Sequence, residues 1–305
     1  MPNIWTHILF CEELLDTIDA PASYKQQEAY LNLGAQGPDP FFYHNFWPWM
    51  KNKKVNNIGT LLHTKKCGDF LMNLITDAAN GDDQTKAYVF GFITHHILDR
   101  NTHPYIHYRA GYSGNKHQKL EVIIDTLLMD QFRNLKTWKA PVYKEIDSGR
   151  KLHSSIHTLL HENISKQFPD ALEGVPKNYI LDSYKDMKLA LRVLFDPYGW
   201  KNLLFAPLVS SFSHQPVKKD IDFLNNQQST WYHPATNESK KSSFLQLYEA
   251  GRAEGIEIMS EVVSFLEKPS PQKKERLRIL IGDISYDTGE PLEFNYMNLY
   301  CAPIV

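Results

Sequence analysis

Residues 94–109 read T94-HHILDRNTHPYIHYR-109, and this stretch decides both the fold and the site. His95, Asp99 and His103 stand at i, i+4 and i+8, and His117 and Glu121 repeat the spacing of four further on. On an α-helix, residues four apart lie above one another on one face. Three ligand-type side chains therefore stack along one helix, and a second pair arrives on the next. Zinc is held by imidazole nitrogen and carboxylate oxygen at about 2.0–2.2 Å, so this pattern suits a multinuclear zinc site. The flanks, YVFGFIT before and PYI after, are apolar. A buried His–Asp–His stack without metal would leave desolvated polar groups in need of partners.

Working outward, the pattern is helical almost throughout. IWTHILFCEELLDTI has apolar residues at helical spacing, and Asp19 and Pro21 end it. Residues 31–50, LNLGAQGPDPFFYHNFWPWM, are rich in Gly, Pro and aromatics and read as a packed loop. Residues 55–80 read as one helix, with a turn at Gly81–Asp83. The next helix, from Gln84, is predicted to stop near Pro104, leaving 106–115 as loop. KHQKLEVIIDTLLMDQFRNLK is an amphipathic helix, and further helices are expected around 150–166, 178–196 and 242–268. Residues 222–239 read as a polar loop, and 278–300 hold the sole hint of strand. With no repeat, no low-complexity segment and no clear linker, the prediction is an all-α, multi-helix single domain over 1–305. Its metal-site core lies at about 4–130 and a helical extension at 131–305.

Composition narrows the function. The 305 residues are 42% apolar and 22% charged, which is ordinary for a soluble globular chain. A net charge of −2 provides no global basic field and tilts the reading away from polynucleotides. Three cysteines without CxxC spacing form neither a disulfide framework nor a thiolate zinc site, and fit a reducing compartment. No basic leader precedes the first helix, and no apolar run approaches the roughly 18–20 residues that span a bilayer. The expected location is the cytoplasm. The sequence sets no oligomeric state.

Other candidates carry less by themselves. His63 in LLHT is more often a satisfied core histidine than a ligand, His7 in IWTHIL is as ambiguous, and Asp39 in GPDPFF reads as turn chemistry. His96 points roughly 100° away from His95 and is expected to pack behind it. HSSIHTLLH, residues 153–161, repeats the i, i+4, i+8 histidine spacing without carboxylates and in polar surroundings, so it reads as a surface stripe.

Taken in order, WTHI at 5–8, GPDPFF at 37–42, LLH at 61–63, HxxxD then HP at 95–104, and HxxxE at 117–121 resemble the zinc-dependent phospholipase C family. The wider superfamily includes P1-type nucleases. NNQQSTWYHP and SSFLQLYEAG near the end resemble bacterial members, here of an intracellular type. The resemblance implies an all-α fold with a zinc cluster of two or three ions in a cleft. By matching motif, His63, His95 and Asp99 would hold one zinc, and His103, His117 and Glu121 a second. His7 with bridging Asp99 would hold the third, and Asp39 would act as ligand or general base. Two departures stand out. Secreted members begin at a tryptophan whose free amine ligates zinc, whereas Trp5 here follows Met-Pro-Asn-Ile. Those members also place a histidine six residues after the bridging aspartate, where this chain has Tyr105, so His103 is chosen and His107 is the fallback.

The expected activity is metal-assisted hydrolysis of a phosphodiester or phospholipid by a phospholipase C-like enzyme. A P1-like nuclease or small-molecule phosphodiesterase or phosphatase is the alternative within enzymes. A noncatalytic metal-binding helical protein is the alternative outside them. The aromatics Phe41, Phe42, Tyr43, Phe46, Trp47 and Trp49 either line the cleft or pack as core.

Overall fold

The computed structural model describes residues 3–18, 20–47, 49–50, 53–218 and 220–305. It is all-α. In chain order the helices are α1 (Ile4–Thr17), α2 (Ala22–Lys25), α3 (Glu28–Gly34), α4 (Pro40–Tyr43), α5 (Lys54–Thr64), α6 (Cys67–Ala78), α7 (Asp83–Ala110), α8 (Lys116–Arg133), α9 (Ser154–Gln167), α10 (Tyr179–Leu194), α11 (Trp200–Val209), α12 (Phe244–Glu267) and α13 (Pro271–Ile281). Among the described residues, sheet is confined to a two-stranded ladder in which β1 (Trp231–Tyr232) pairs antiparallel with β2 (Ser239–Lys240).

The 28-residue α7 is the axis, and the most extensive helix contacts are those of α3 and α12 against it. Its start is fixed by the Asp82 side chain, which accepts from the Thr85 amide. Apolar Phe90, Phe92, Ile93 and Ile97 are fully buried, so α7 is wrapped on nearly every side. α3 approaches it backbone to backbone, because a Cβ at Gly34 would collide with Tyr88 O and one at Gly91 with Leu31 O. α12 starts in a reciprocal Ser243–Gln246 capping box. It is tied to α7 by Arg100, whose Nη2 donates to Glu254 Oε1 at 2.6 Å while Nη1 donates to Ile281 O, also at 2.6 Å. That buried guanidinium spans α7, α12 and the end of α13 one residue after Asp99.

Several boundaries differ from the sequence reading. α7 runs through Pro104 to Ala110, so 106–110 are helical and the loop begins at Gly111. The stretch 55–80 is two helices, α5 and α6, broken where Lys66 adopts a left-handed φ of 51°. Lys has no intrinsic tendency to break a helix, and the break is a tertiary effect: Gly68 lies against the carbonyl of Gly282, and the Lys66 ammonium reaches Gln167 O. Part of 31–50 is helical, in α3 and α4. The hint of strand at 278–300 resolves into the end of α13 and a single bridge between Ile284 and Pro291. The α1 stop expected at Asp19 lies outside the described residues, though the helix does end at Thr17.

Candidate metal centre

α7 presents His95, Asp99 and His103 on one buried face, and the other elements close around them. α1 contributes His7, which stacks on His95 with ring centroids 4.0 Å apart. The turn between α3 and α4 contributes Asp39, α5 contributes His63, and α8 contributes His117 and Glu121. Asp99 is central: Oδ1 lies 3.4 Å from His7 Nε2 and 3.5 Å from His103 Nε2, and Oδ2 lies 3.1 Å from His95 Nε2. Asp39 Oδ1 lies 3.4 Å from His63 Nε2 and 3.8 Å from His95 Nε2. His117 Nε2 pairs with Glu121 Oε1.

These separations and orientations suit a metal better than a hydrogen-bond network. Donors around a tetrahedral zinc with bonds of about 2.0–2.2 Å sit about 3.3–3.6 Å from one another. Both nitrogens of His7 and of His103, His95 Nε2, Asp39 Oδ1 and both Asp99 oxygens are buried without a hydrogen-bond partner. Native interiors rarely leave so many polar atoms unsatisfied in one place. His63 Nδ1 lies 2.7 Å from Gly59 O, and His95 Nδ1 lies 2.9 Å from Ala35 O. A carbonyl accepts only, so in the neutral rings Nδ1 carries the proton and the Nε2 lone pair faces the carboxylates. Outer carbonyls fix ligand histidines in this way in metal sites. Four groups, His7–His95–Asp99, Asp39–His63–His95, His103–His117–Glu121 and His103–His107–Asp287, bring their ligand atoms within 4.8 Å of one another. The donor set of imidazole and carboxylate suits zinc.

Charge states follow from burial. Desolvation lowers the His7 and His117 pKa values below the histidine norm, and that of His103 to about 4. Burial opposes ionisation of Asp99, but His103 and His95 beside it outweigh burial and hold it well below the usual carboxylate range. Burial likewise penalises a charged His63, and Asp39 outweighs it, so this pKa is raised.

The turn carrying Asp39 depends on one glycine. Gly37 has φ +50°, and a Cβ there would run into the His95 ring. Gly37→Ala is expected to push His95 and Asp39 apart and weaken zinc affinity at least about tenfold, the lower end of what outer-shell disruptions cost. A zinc-chelator competition titration reads this directly.

The structure also adds residues that the sequence reading passed over. Asp287, in the turn after α13, has Oδ1 3.5 Å from His103 Nδ1 and 3.8 Å from His107 Nε2. Tyr286 packs its ring on His63, His95 and His96. His96 sits behind the site as expected, with Nε2 2.9 Å from Ile284 O. Asp125, one turn beyond Glu121 on α8, is fully buried and holds the start of α1. It accepts from the Trp5 amide at 3.1 Å, the Thr6 amide at 3.0 Å and the Thr6 hydroxyl at 2.6 Å. The Trp5 nitrogen is thus a helix amide bound to a carboxylate. The aromatic run divides: Phe41 is core against Tyr179, Phe42 covers His63, and the Phe46, Trp47 and Trp49 rings form a stack ending in exposed Trp49. His157 and His161 stack at the surface without carboxylates, and no metal group among the described residues includes them.

Fold and site together define an all-α protein enclosing a histidine–carboxylate centre with the spacing of a metal cluster. The chain belongs to the zinc dependent phospholipase C family, whose model matches residues 6–174, more than half of its length. No curated protein and no solved structure is matched. Family membership and the buried clusters point to a metal-dependent phosphodiesterase site. Among the described residues no helix is long and apolar enough to cross a membrane.

Proposed function

We propose that this protein is a zinc-dependent phosphodiester hydrolase of phospholipase C type, an intracellular, bacterial-type member that works as one unit in the cytoplasm. The observation that carries the reading is Asp99: both its oxygens are buried without a hydrogen-bond partner, within 3.1–3.5 Å of histidines on two helices. In this reading His63, His95 and Asp99 hold one zinc, His103, His117 and Glu121 a second, and His7 with Asp99 a third. The three free cysteines support a reducing setting. Zinc bound there supplies a Lewis acid that offsets charge growing on the phosphate oxygens and acidifies water.

The chain's own groups do the rest. Asp39, whose Oδ1 has no hydrogen-bond partner, orients the attacking water and takes its proton. Asp99 and Glu121 supply negative charge that balances the cations. Phe42 and Tyr286 wall the histidines with apolar surface and limit competing water.

A phospholipid is favoured over a polynucleotide by α11. None of its residues is buried, and Leu203 and Leu204 are 82% and 66% exposed. Tyr198 and Trp200 beside them carry the Lys139 and Lys201 ammonium groups over their rings. Apolar side chains framed by aromatics and lysines suit the interface of a phospholipid layer. The segment after α11 ties back to the site through His214, whose Nε2 lies 3.2 Å from Asp125 Oδ2.

The test is zinc-dependent release of diacylglycerol from phosphatidylcholine vesicles, beside cleavage of a soluble chromogenic phosphodiester and of single-stranded DNA. Asp39→Asn is expected to cut turnover by about 10²–10⁴-fold, the range for loss of a general base. Preference for DNA would replace this reading with a P1-like nuclease. Zinc-loaded protein inert on all three would make it a noncatalytic metal-binding protein. Leu203→Ser with Leu204→Ser is expected to lower vesicle turnover about tenfold or more while sparing the soluble diester. Equal losses on both substrates would remove α11 from the account.

A further inference from the structure

Residues 283–305 lie outside the segment that defines the family, yet they reach the mouth of the metal centre. We propose that His103, His107 and Asp287 hold a divalent cation of the zinc class, and that this ion fastens the C-terminal segment to α7. The proposal rests on the reading of the centre as a metal site and goes beyond it, since Asp287 is not in the ligand set that the family resemblance supplies and His107 enters that set only as the alternative to His103.

The geometry has three parts. First, the donors converge without bonding one another. Asp287 Oδ1 is 3.5 Å from His103 Nδ1 and 3.8 Å from His107 Nε2, while both nitrogens of each ring are buried without a hydrogen-bond partner. The first separation falls within, and the second 0.2 Å beyond, the roughly 3.3–3.6 Å between neighbouring donors at zinc bond lengths. Second, the two nitrogens of His103 face different carboxylates, Nε2 towards Asp99 Oδ1 at 3.5 Å and Nδ1 towards Asp287. A neutral imidazole has one lone pair. Coordination through Nδ1 leaves Nε2–H facing Asp99, so the ring passes to this outer seat and the second zinc proposed above keeps His117 and Glu121.

Third, Asp287 is presented by a built turn. The Ser285 hydroxyl accepts from the Asp287 and Thr288 amides at 3.2 and 3.3 Å, and Asn298 Nδ2 donates to Asp287 O at 3.1 Å. On either side the turn is seated on the site helices: the Tyr286 amide donates to His63 O at 3.1 Å, and Gly289 lies so close to Arg100 O that a Cβ would collide. The Asp287 side chain is 35% exposed, which leaves the seat reachable from solvent. An ion there closes a link between α7 and a segment some 180 residues away in sequence.

Amide hydrogen exchange of residues 284–290, with zinc and with chelator, tests this alongside elemental analysis of the same samples. In the unaltered protein zinc is expected to slow exchange of these amides at least tenfold. In His107→Gln and Asp287→Asn zinc still binds the inner groups, but the slowing is lost, and the chelated variants exchange as the chelated parent does. Slowing that persists in both variants overturns the outer seat and leaves Asp287 as an acceptor that orients His103. Zinc bound without any slowing in the parent overturns the fastening. A parent that binds no zinc overturns this proposal together with the metal reading beneath it.

Discussion

Asp99→Asn is expected to strip the protein of most of its zinc and to lower phosphodiester turnover by more than a hundredfold. Loss of outer-shell partners alone costs about 10–100-fold in metal sites, and Asp99 stands at the centre. It is the carboxylate that His7, His95 and His103 all approach. Asparagine preserves the shape but removes the charge and replaces one acceptor oxygen with an NH₂ donor, which cannot ligate. The stability signature should separate ligation from folding. Zinc bound to the native state alone raises Tm in proportion to its occupancy. The variant should lose that rise, and in chelator it should melt modestly below the parent, because the histidines around Asp99 favour its charged form in the metal-free fold. Elemental analysis and thermal melts with and without chelator check both halves. A variant that retains its zinc, or that melts far lower in chelator, would make Asp99 a structural residue.

The sequence disclosed the part of this site that one helix builds. His95, Asp99 and His103 share a face because four residues nearly complete a turn, and the apolar flanks signalled that the face is buried. Spacing alone does not report what a face meets: His153, His157 and His161 have the same period, yet none of them joins a metal group among the described residues. His7, Asp39 and His63 entered through resemblance, since their approach to α7 depends on tertiary packing such as the Gly34–Gly91 contact and the Gly37 turn. Asp287 and Tyr286 lie in an irregular turn far along the chain, where no periodicity marks them. Pro104 misled for a related reason. Proline cannot donate to the carbonyl four residues back, and a local rule ends the helix there. In the fold that carbonyl, of Arg100, faces Gly289, while burial of Tyr105 and Ile106 on the same core carries the helix onward.

Acid is expected to destabilise the metal-free protein from about pH 6.5 downward, well before its carboxylates protonate. Desolvation lowers the pKa values of His7, His96, His103 and His117 in the folded state, that of His103 to about 4. Unfolded, each titrates near 6.5. Between those values the unfolded chain binds protons that the folded chain refuses, so stability rises with pH through the window and is lost as pH falls. His63 has the opposite sign: Asp39 raises its pKa, so its contribution is full below 6.5 and fades as pH climbs through the folded value. The lowered histidines outnumber the raised one, and each that is uncompensated adds about 1.4 kcal/mol per pH unit across the window. Below it, Asp99 and Asp287, held well below the usual range in the fold, add loss of the same sign as they protonate. Zinc sharpens the dependence, because imidazole must be unprotonated to ligate. Denaturant midpoints of chelated protein from pH 8 to 5 measure the slope, and a flat profile would show that these rings are not buried neutral. His96→Gln supplies the control. His96 bonds Ile284 O behind the cluster, so its loss should shallow the slope by about one proton without changing the zinc content.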